Sequence, residues 1–157
     1  MSKIVEITAN VLYPFALTFG IYVIIHGHLT PGGGFQGGSI VASAFTMLII
    51  AYGIKSLNFL LSKNTFSVLE NFGAIAFICI AFLGIGTTFF YNFLANSKGL
   101  FGNSVEFGPN FGDINTSGVL PLMNFAVGLK VFSGIAAVIL VVLFTDELNR
   151  GEKNDNS

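Results

Sequence analysis

Four long stretches almost free of charged side chains constrain this sequence more than any other feature. A helix needs roughly 20 apolar residues to cross the hydrocarbon core of a bilayer, which is about 30 Å thick. The stretches predict helices at about residues 4–26, 37–54, 68–95 and 119–145. Only 10% of the residues are charged and 53% are hydrophobic, whereas a soluble domain carries about 25% charged residues. We therefore predict an all-α fold, an integral membrane bundle of four transmembrane helices.

The remaining composition excludes several functions. A net charge of −1 provides no basic surface for nucleic acid. The single cysteine, Cys79, cannot form a disulfide framework or a cysteine-based metal site. We expect no cofactor, no metal and no catalytic centre in this chain, and whether it is part of a larger enzyme complex stays open. No repeat or second domain is evident, so residues 1–157 are expected to form one membrane domain with a polar tail, 146–157, that is disordered at its end.

Basic residues are distributed unevenly between the two sides of the predicted bundle. Lys98 alone lies in the connections that follow helices 1 and 3. Five others lie at the termini or between helices 2 and 3: Lys3, Lys55, Lys63, Arg150 and Lys153. Because cytoplasmic connections are enriched in Lys and Arg, both termini are predicted to be cytoplasmic. The segment 55–67 is then either an amphipathic linker on the inner interface or a solvated connector.

Lys130 is the one charge inside the fourth stretch and lies near its middle, far from either end. A lysine near the middle of a transmembrane helix costs at least about 2.5 kcal/mol on insertion scales, so such residues are often functional. Neighbouring Ala126, Ser133, Gly134 and Ala137 are small, which favours contact with protein rather than lipid. No acidic residue is expected at matching depth, so its partner would be water or another subunit. Lys130 is then either part of a proton or ion path, or a static interhelical contact.

Four further residues are candidates for an ion or proton path. Glu6 and Glu70 are predicted in the first turns of helices 1 and 3, where a carboxylate also complements the helix dipole. Glu6 begins a ridge with Asn10, Pro14 and Thr18 that we expect to contact protein. His26 and His28 end helix 1 and suit an interfacial, proton-accepting mouth better than a metal site, because two histidines are too few to hold a metal.

A glycine-rich segment joins helices 1 and 2 on the predicted outer side. It has no Lys-Ser/Thr pair and no preceding strand, so neither a P-loop nor a dinucleotide-binding motif is present. Glycine permits sharp turns and close backbone contacts, so the segment is expected to be a tight connector, to pack on neighbours or to re-enter the membrane. Its motif residues are Pro31, Gly32, Gly33, Gly34, Phe35, Gln36, Gly37 and Gly38. The second outer connection, 96–118, also contains glycine and phenylalanine and is expected to form an ordered cap.

This motif resembles the signature of the MnhB family, a membrane subunit of the multisubunit Mrp-type Na⁺/H⁺ antiporters. Helix 4 is also similar to the closing helix of that family, including members in membrane-bound hydrogenases and complex I-like assemblies. The matching positions include Pro121, Asn124, Lys130 and Gly134. The resemblance implies a small subunit of a prokaryotic cell membrane that works within a larger complex, where proton flow is coupled to Na⁺ export.

Two hypotheses for the function follow. In the first, the chain contributes to the ion or proton path of an antiporter module through Lys130, with a redox-driven hydrogenase-type complex as one kind of host. In the second, it is a purely structural scaffold of the same kind of complex. Both hypotheses name other membrane subunits and the lipid bilayer as partners, with Na⁺ and H⁺ as transported ions.

Overall fold

The computed structural model describes residues 2–53, 63–105 and 113–155, and these form helices and turns without a β-strand. The helices are α1 (Lys3–Ile25), α2 (Gly34–Tyr52), α3 (Lys63–Phe82) and α4 (Leu120–Asp155). A short 3₁₀ helix, Asp113–Asn115, precedes α4. Each of the four long helices contains a segment long and apolar enough to cross a membrane. The predicted all-α fold with four transmembrane helices is confirmed.

The helices pack in the order α1, α2, α4, α3, with α1 and α3 at the two edges. In chain order, each helix runs antiparallel to the previous one. The helices α1 and α3 therefore begin, and α2 and α4 end, at the same end of the layer. We call this the proximal end, and the opposite end the distal end. Near the proximal end, Ile49, Phe66, Ala136 and Leu140 form a buried apolar cluster. Because this layer is one helix thick, most apolar side chains remain exposed, as Phe15 (71%) and Phe72 (64%) illustrate.

Glycines make the central helix contacts possible. A Cβ atom on Gly34 would overlap the backbone oxygen of Asn124, and one on Gly38 would lie 2.7 Å from the backbone oxygen of Gly128. A Cβ on Gly37 would lie 2.7 Å from the backbone oxygen of Gly20 in α1. Atoms cannot approach so closely, so α2 sits between α1 and α4 at distances that only glycine permits. The glycine-rich motif therefore packs on its neighbours, and its second half is helical.

The predicted helix over 68–95 is wrong at both ends. α3 begins at Lys63 and ends at Phe82, and residues 83–95 form turns. At Gly84 the chain folds back so tightly that a Cβ would lie 2.5 Å from the backbone oxygen of Tyr91. The backbone N–H of Phe90 accordingly donates to the carbonyl of Ala81 at 3.1 Å. The apolar character of residues 83–95 suggested a continuous span, whereas glycine at position 84 allows a reversal.

The other helix boundaries differ less from the prediction. α2 begins at Gly34 rather than at residue 37. α4 continues through the polar tail to Asp155, so the tail is helical up to that residue; residues 156–157, like most of the linker 55–67, lie outside the described residues. The cap predicted for residues 96–118 lies at the distal end and is ordered where it is described: Phe101 N–H donates to Asn115 Oδ1 at 2.6 Å. Residues 106–112 of the cap also lie outside the described part.

Candidate functional site

Lys130 of α4 and Glu70 of α3 form an ion pair, with 3.1 Å between Lys130 Nζ and Glu70 Oε1. A hydrogen bond between an ammonium and a carboxylate is shorter and stronger than one between neutral groups. The side chains are 47% and 37% exposed, respectively, so the pair lies at the surface of the isolated chain. It therefore faces whatever surrounds the chain in the membrane.

The expectation that Lys130 has no acidic partner at its own depth is wrong. That expectation placed Glu70 in the first turn of helix 3, whereas α3 begins five residues earlier, at Lys63. Glu70 is therefore about 10 Å along the helix from its start, at 1.5 Å per residue. Lys130 lies about 15 Å from the distal start of the antiparallel α4. The two charges consequently meet within the apolar part of the layer, and capping of the helix start does not account for Glu70.

Two glycines lie beside the ion pair, and one of them allows the close approach of α3 and α4. A Cβ on Gly73, three residues after Glu70, would lie 2.9 Å from the backbone nitrogen of Lys130, so the two helices are in close contact there. The carboxylate of Glu70 lies over Gly134, with Oε1 3.6 Å from where a Cβ would be. Gly134 belongs to the motif of helix 4 and follows Lys130 by one turn, on the same face of the helix. The carboxylate therefore lies in van der Waals range of this face of α4.

A groove of about 460 Å³ continues from the ion pair toward the proximal end. Its walls are Glu70 and five α4 residues: Gly134, Ala137, Val138, Val141 and Val142. Among the described residues of its lining, Glu70 is the one that carries a charge. The groove is open on one side, so it could be completed by a neighbouring molecule.

The structure does not bring the other path candidates to this pair. Glu6 is a half-buried residue of α1, at the edge of the layer opposite α3. His26 stacks on Tyr22, with ring centroids 4.0 Å apart, and its Nδ1 lies 3.1 Å from the Tyr22 carbonyl. In the ridge that follows Glu6, Asn10 accepts a hydrogen bond from Tyr52 of α2 at 2.6 Å, while Pro14 and Thr18 are exposed.

His28 connects the glycine-rich segment to the cap at the distal end. Its Nε2 donates to the backbone carbonyl of Asp113 at 3.3 Å, while its buried Nδ1 has no hydrogen-bond partner among the described residues. His26 and His28 thus bind different parts of the chain. No cluster of three or more His, Cys, Asp or Glu residues suited to a metal occurs in the part of the chain that the structure describes.

The motif residues of the distal end hold α2 against α4. Gly33 has φ +157° and precedes α2, and a Cβ on it would lie 3.3 Å from Asn124 Oδ1. A Cβ on Gly27 would lie 2.7 Å from Asn124 Nδ2, so the Asn124 amide rests on both glycines. Pro121 is buried in the first turn of α4, a position where proline fits because the backbone donor is not needed. Pro31, Phe35 and Gln36 are exposed and Gly32 is half-buried.

Asn92, which no sequence motif singled out, holds the start of α4 in place by two hydrogen bonds. Its Oδ1 accepts a hydrogen bond from Val119 N–H at 2.9 Å, and its Nδ2 donates to the carbonyl of Ser117 at 2.9 Å. Asn92 lay inside the predicted helix 3, where asparagine is disfavoured because its side chain competes for backbone hydrogen bonds. That preference was the available signal for a turn.

Comparison with known proteins agrees with the motifs. The family model described as a domain related to the MnhB subunit of Na⁺/H⁺ antiporter matches residues 4–137. An uncharacterized protein of Methanocaldococcus jannaschii is 33% identical over 143 residues, which are 90% of this chain and 52% of that protein. A Na⁺/H⁺ antiporter subunit of Bacillus subtilis is 43% identical over 58 residues, which are 36% of this chain and 41% of that protein.

A solved structure shows the same arrangement. A chain in the membrane-bound sulfane sulfur reductase, an archaeal respiratory membrane complex, matches with a TM-score of 0.67 and 28% identity, over 90% of this chain and 58% of that chain. This chain thus spans about half the length of the relatives that it matches. With the family model covering most of its residues and four membrane-spanning helices, the chain belongs to the family of multi-pass membrane domains related to the MnhB subunit of Na⁺/H⁺ antiporters.

Proposed function

We propose that this chain is a membrane subunit of a multisubunit cation/proton antiporter module and that its Lys130–Glu70 pair contributes to the ion or proton path. The observation that carries the proposal is the position of this pair, inside the apolar part of the layer and open to its surroundings. Ion pairs in such positions are costly to maintain in a membrane and are commonly functional. Membership of the MnhB-related family supports Na⁺ and H⁺ as the transported ions.

The thin layer supports a role within a larger assembly. Only 11–39% of the residues in each spanning segment are buried within the chain, and an exposed charged pair is poorly solvated by lipid. Other membrane subunits would cover these surfaces. The similarity to a chain of an archaeal respiratory membrane complex leads us to include redox-driven complexes among the possible hosts, in a prokaryotic cell membrane.

The second candidate function, a structural scaffold, is favoured by a different aspect of the same pair. Lys130 and Glu70 join α4 to α3 beside the close contact at Gly73. As a static lock, the pair would hold the edge helix α3 in place without exchanging a proton or contacting an ion.

Lys130→Arg separates the two candidates. An arginine can keep the ion pair, but it stays charged at physiological pH and cannot release a proton. For a role in the path, we expect the assembled Lys130→Arg complex to lose at least about tenfold of its cation-dependent proton transport, a change of about 1.4 kcal/mol in the barrier. Transport is measured in membrane vesicles and normalised to assembled complex on a native gel. Wild-type transport by this variant would leave the chain as a scaffold.

We propose that the proximal end faces the cytoplasm, as the distribution of Lys and Arg indicates. In a Cys79→Ser background, a cysteine at exposed Ser104 should react with an impermeant thiol reagent added to the outside of intact cells. A cysteine at exposed Ser2 should react only after the cells are opened. The reverse pattern would reject this orientation, and thiol labelling in detergent checks that both cysteines can react.

A further inference from the structure

One exposed stripe of α3 changes character along its length. Asn64, Ser67 and Asn71 are spaced i, i+3 and i+7, so they lie on the same side of the helix, and all three are exposed. Farther toward the distal end, the same stripe continues with Ile75, Ile78 and Phe82, which are 59%, 52% and 49% exposed. Glu70 borders the stripe near the point where it changes from polar to apolar.

The polar residues do not simply lie outside the membrane. α3 has 20 residues, or about 30 Å at 1.5 Å per residue, which is just the thickness of the hydrocarbon core. Without its first nine residues, the 11 from Phe72 to Phe82 would extend only about 16 Å. For α3 to cross the hydrocarbon core, its proximal half has to lie within that core, although lipid cannot form hydrogen bonds with its amides and hydroxyl.

The groove beside Glu70 also extends toward the proximal end. It runs past Ala137 and Val141 of α4, which share a helix face with Lys130 by their spacing of seven and eleven residues. Its volume of about 460 Å³ is large enough to admit water, and Glu70 supplies the polar partner that ordered water needs. The polar stripe and the groove thus both extend from the proximal end to the Lys130–Glu70 pair. Beyond the pair, the stripe is apolar.

We propose that this half of the α3–α4 surface forms one wall of a water-filled cleft that connects the proximal, cytoplasmic side with the Lys130–Glu70 pair. Asn64, Ser67 and Asn71 solvate its mouth, and Glu70 lies at its inner end, where a proton or a monovalent cation arriving through water meets a carboxylate. A neighbouring subunit closes the cleft toward lipid. The apolar residues beyond Asn71 stop the water at the level of the pair. This inference rests on the proposed function, to which it adds the route and side of access.

Cysteine accessibility along the stripe tests the cleft. Single cysteines replace Ser67, Asn71, Ile75 and Ile78 in a Cys79→Ser background, and the chain is expressed with the subunits of its native complex. A charged, impermeant methanethiosulfonate reagent is added to the cytoplasmic side of inverted membrane vesicles. We expect cysteines at 67 and 71 to react at least about tenfold faster than the matched cysteines at 75 and 78. Labelling after denaturation in detergent measures the total thiol in each variant.

The labelling results test the cleft, and they do so independently of the transport assay that tests the proposed ion path. Ser67→Cys changes one atom, so this variant should fold, and its slow labelling would overturn the proposal, as would slow labelling at 71. Fast labelling at all four positions, or faster labelling from the opposite side, would also overturn it. If the cysteines at 67 and 71 react as expected while Lys130→Arg transports normally, the cleft stands and the proposed ion path fails.

Discussion

Removing one charge of the Lys130–Glu70 pair is expected to damage the protein far more than removing both. Lys130→Met leaves the Glu70 carboxylate, and Glu70→Met leaves the Lys130 ammonium, without its partner in an apolar layer. Loss of one partner of a fully buried ion pair costs about 3–5 kcal/mol, so this partly exposed pair should lose a smaller amount, whereas replacing a whole pair by apolar residues is often neutral. With the neighbouring subunit covering the pair, we expect assembled complex to fall by at least about tenfold in each single variant. The double variant should assemble almost normally but fail to transport.

The measurement is the amount of chain in the assembled complex on a native gel, beside cation-dependent proton transport in vesicles. Glu6→Gln is the matched control, because Glu6 is a half-buried carboxylate of α1 at the opposite edge of the layer. It should leave assembly within about twofold of wild type. If the double variant assembles no better than either single variant, the pair is not energetically coupled and the partner charges act independently.

How much of this site the sequence predicts depends on one helix boundary. Lys130 stands out because it is the one charge near the middle of an apolar stretch, and its small neighbours indicate protein contact. Its partner was missed because Asn64, Thr65 and Ser67 are polar and were assigned to a connector. In the structure they form the first turns of α3, which shifts Glu70 to the depth of Lys130. Hydropathy marks apolar residues, so it misses a transmembrane helix whose first turns are polar.

The end of α3 shows the opposite limitation. Residues 83–95 are apolar enough to be taken as helix, yet tertiary contacts reverse the chain at Gly84 and bring Asn92 to the start of α4. No local periodicity encodes this contact, because Asn92 and Val119 are 27 residues apart. By contrast, packing on neighbours was one of the roles expected of the glycine-rich segment, and the contacts of Gly34 and Gly38 with α4 select it.

The last large effect is expected from a single methyl group at the α2–α4 contact. In an exposed helix, replacing glycine by alanine gains about 0.8–1 kcal/mol, so Gly34→Ala would stabilise α2 if nothing lay beside it. A Cβ at this position, however, would overlap the backbone oxygen of Asn124 and lie 2.8 Å from Val127 Cβ and 2.9 Å from Gly128 N. None of these atoms is the end of a flexible side chain, so α2 and α4 have to move apart. Overpacking of this kind typically costs about 1–3 kcal/mol, occasionally more.

We therefore expect Gly34→Ala to lower the ratio of folded to unfolded protein in detergent by up to about thirtyfold, a net loss of up to about 2 kcal/mol after the helix gain is subtracted. Gly86→Ala is the matched control, because nothing lies within 4 Å of a Cβ there, and its thermal midpoint should stay close to that of the wild type. Comparing the two midpoints separates the steric effect from a general effect of the added methyl group. Equal midpoints for Gly34→Ala and Gly86→Ala would mean that α2 and α4 adjust at little cost, and the glycine-rich motif would then need an explanation other than close helix packing.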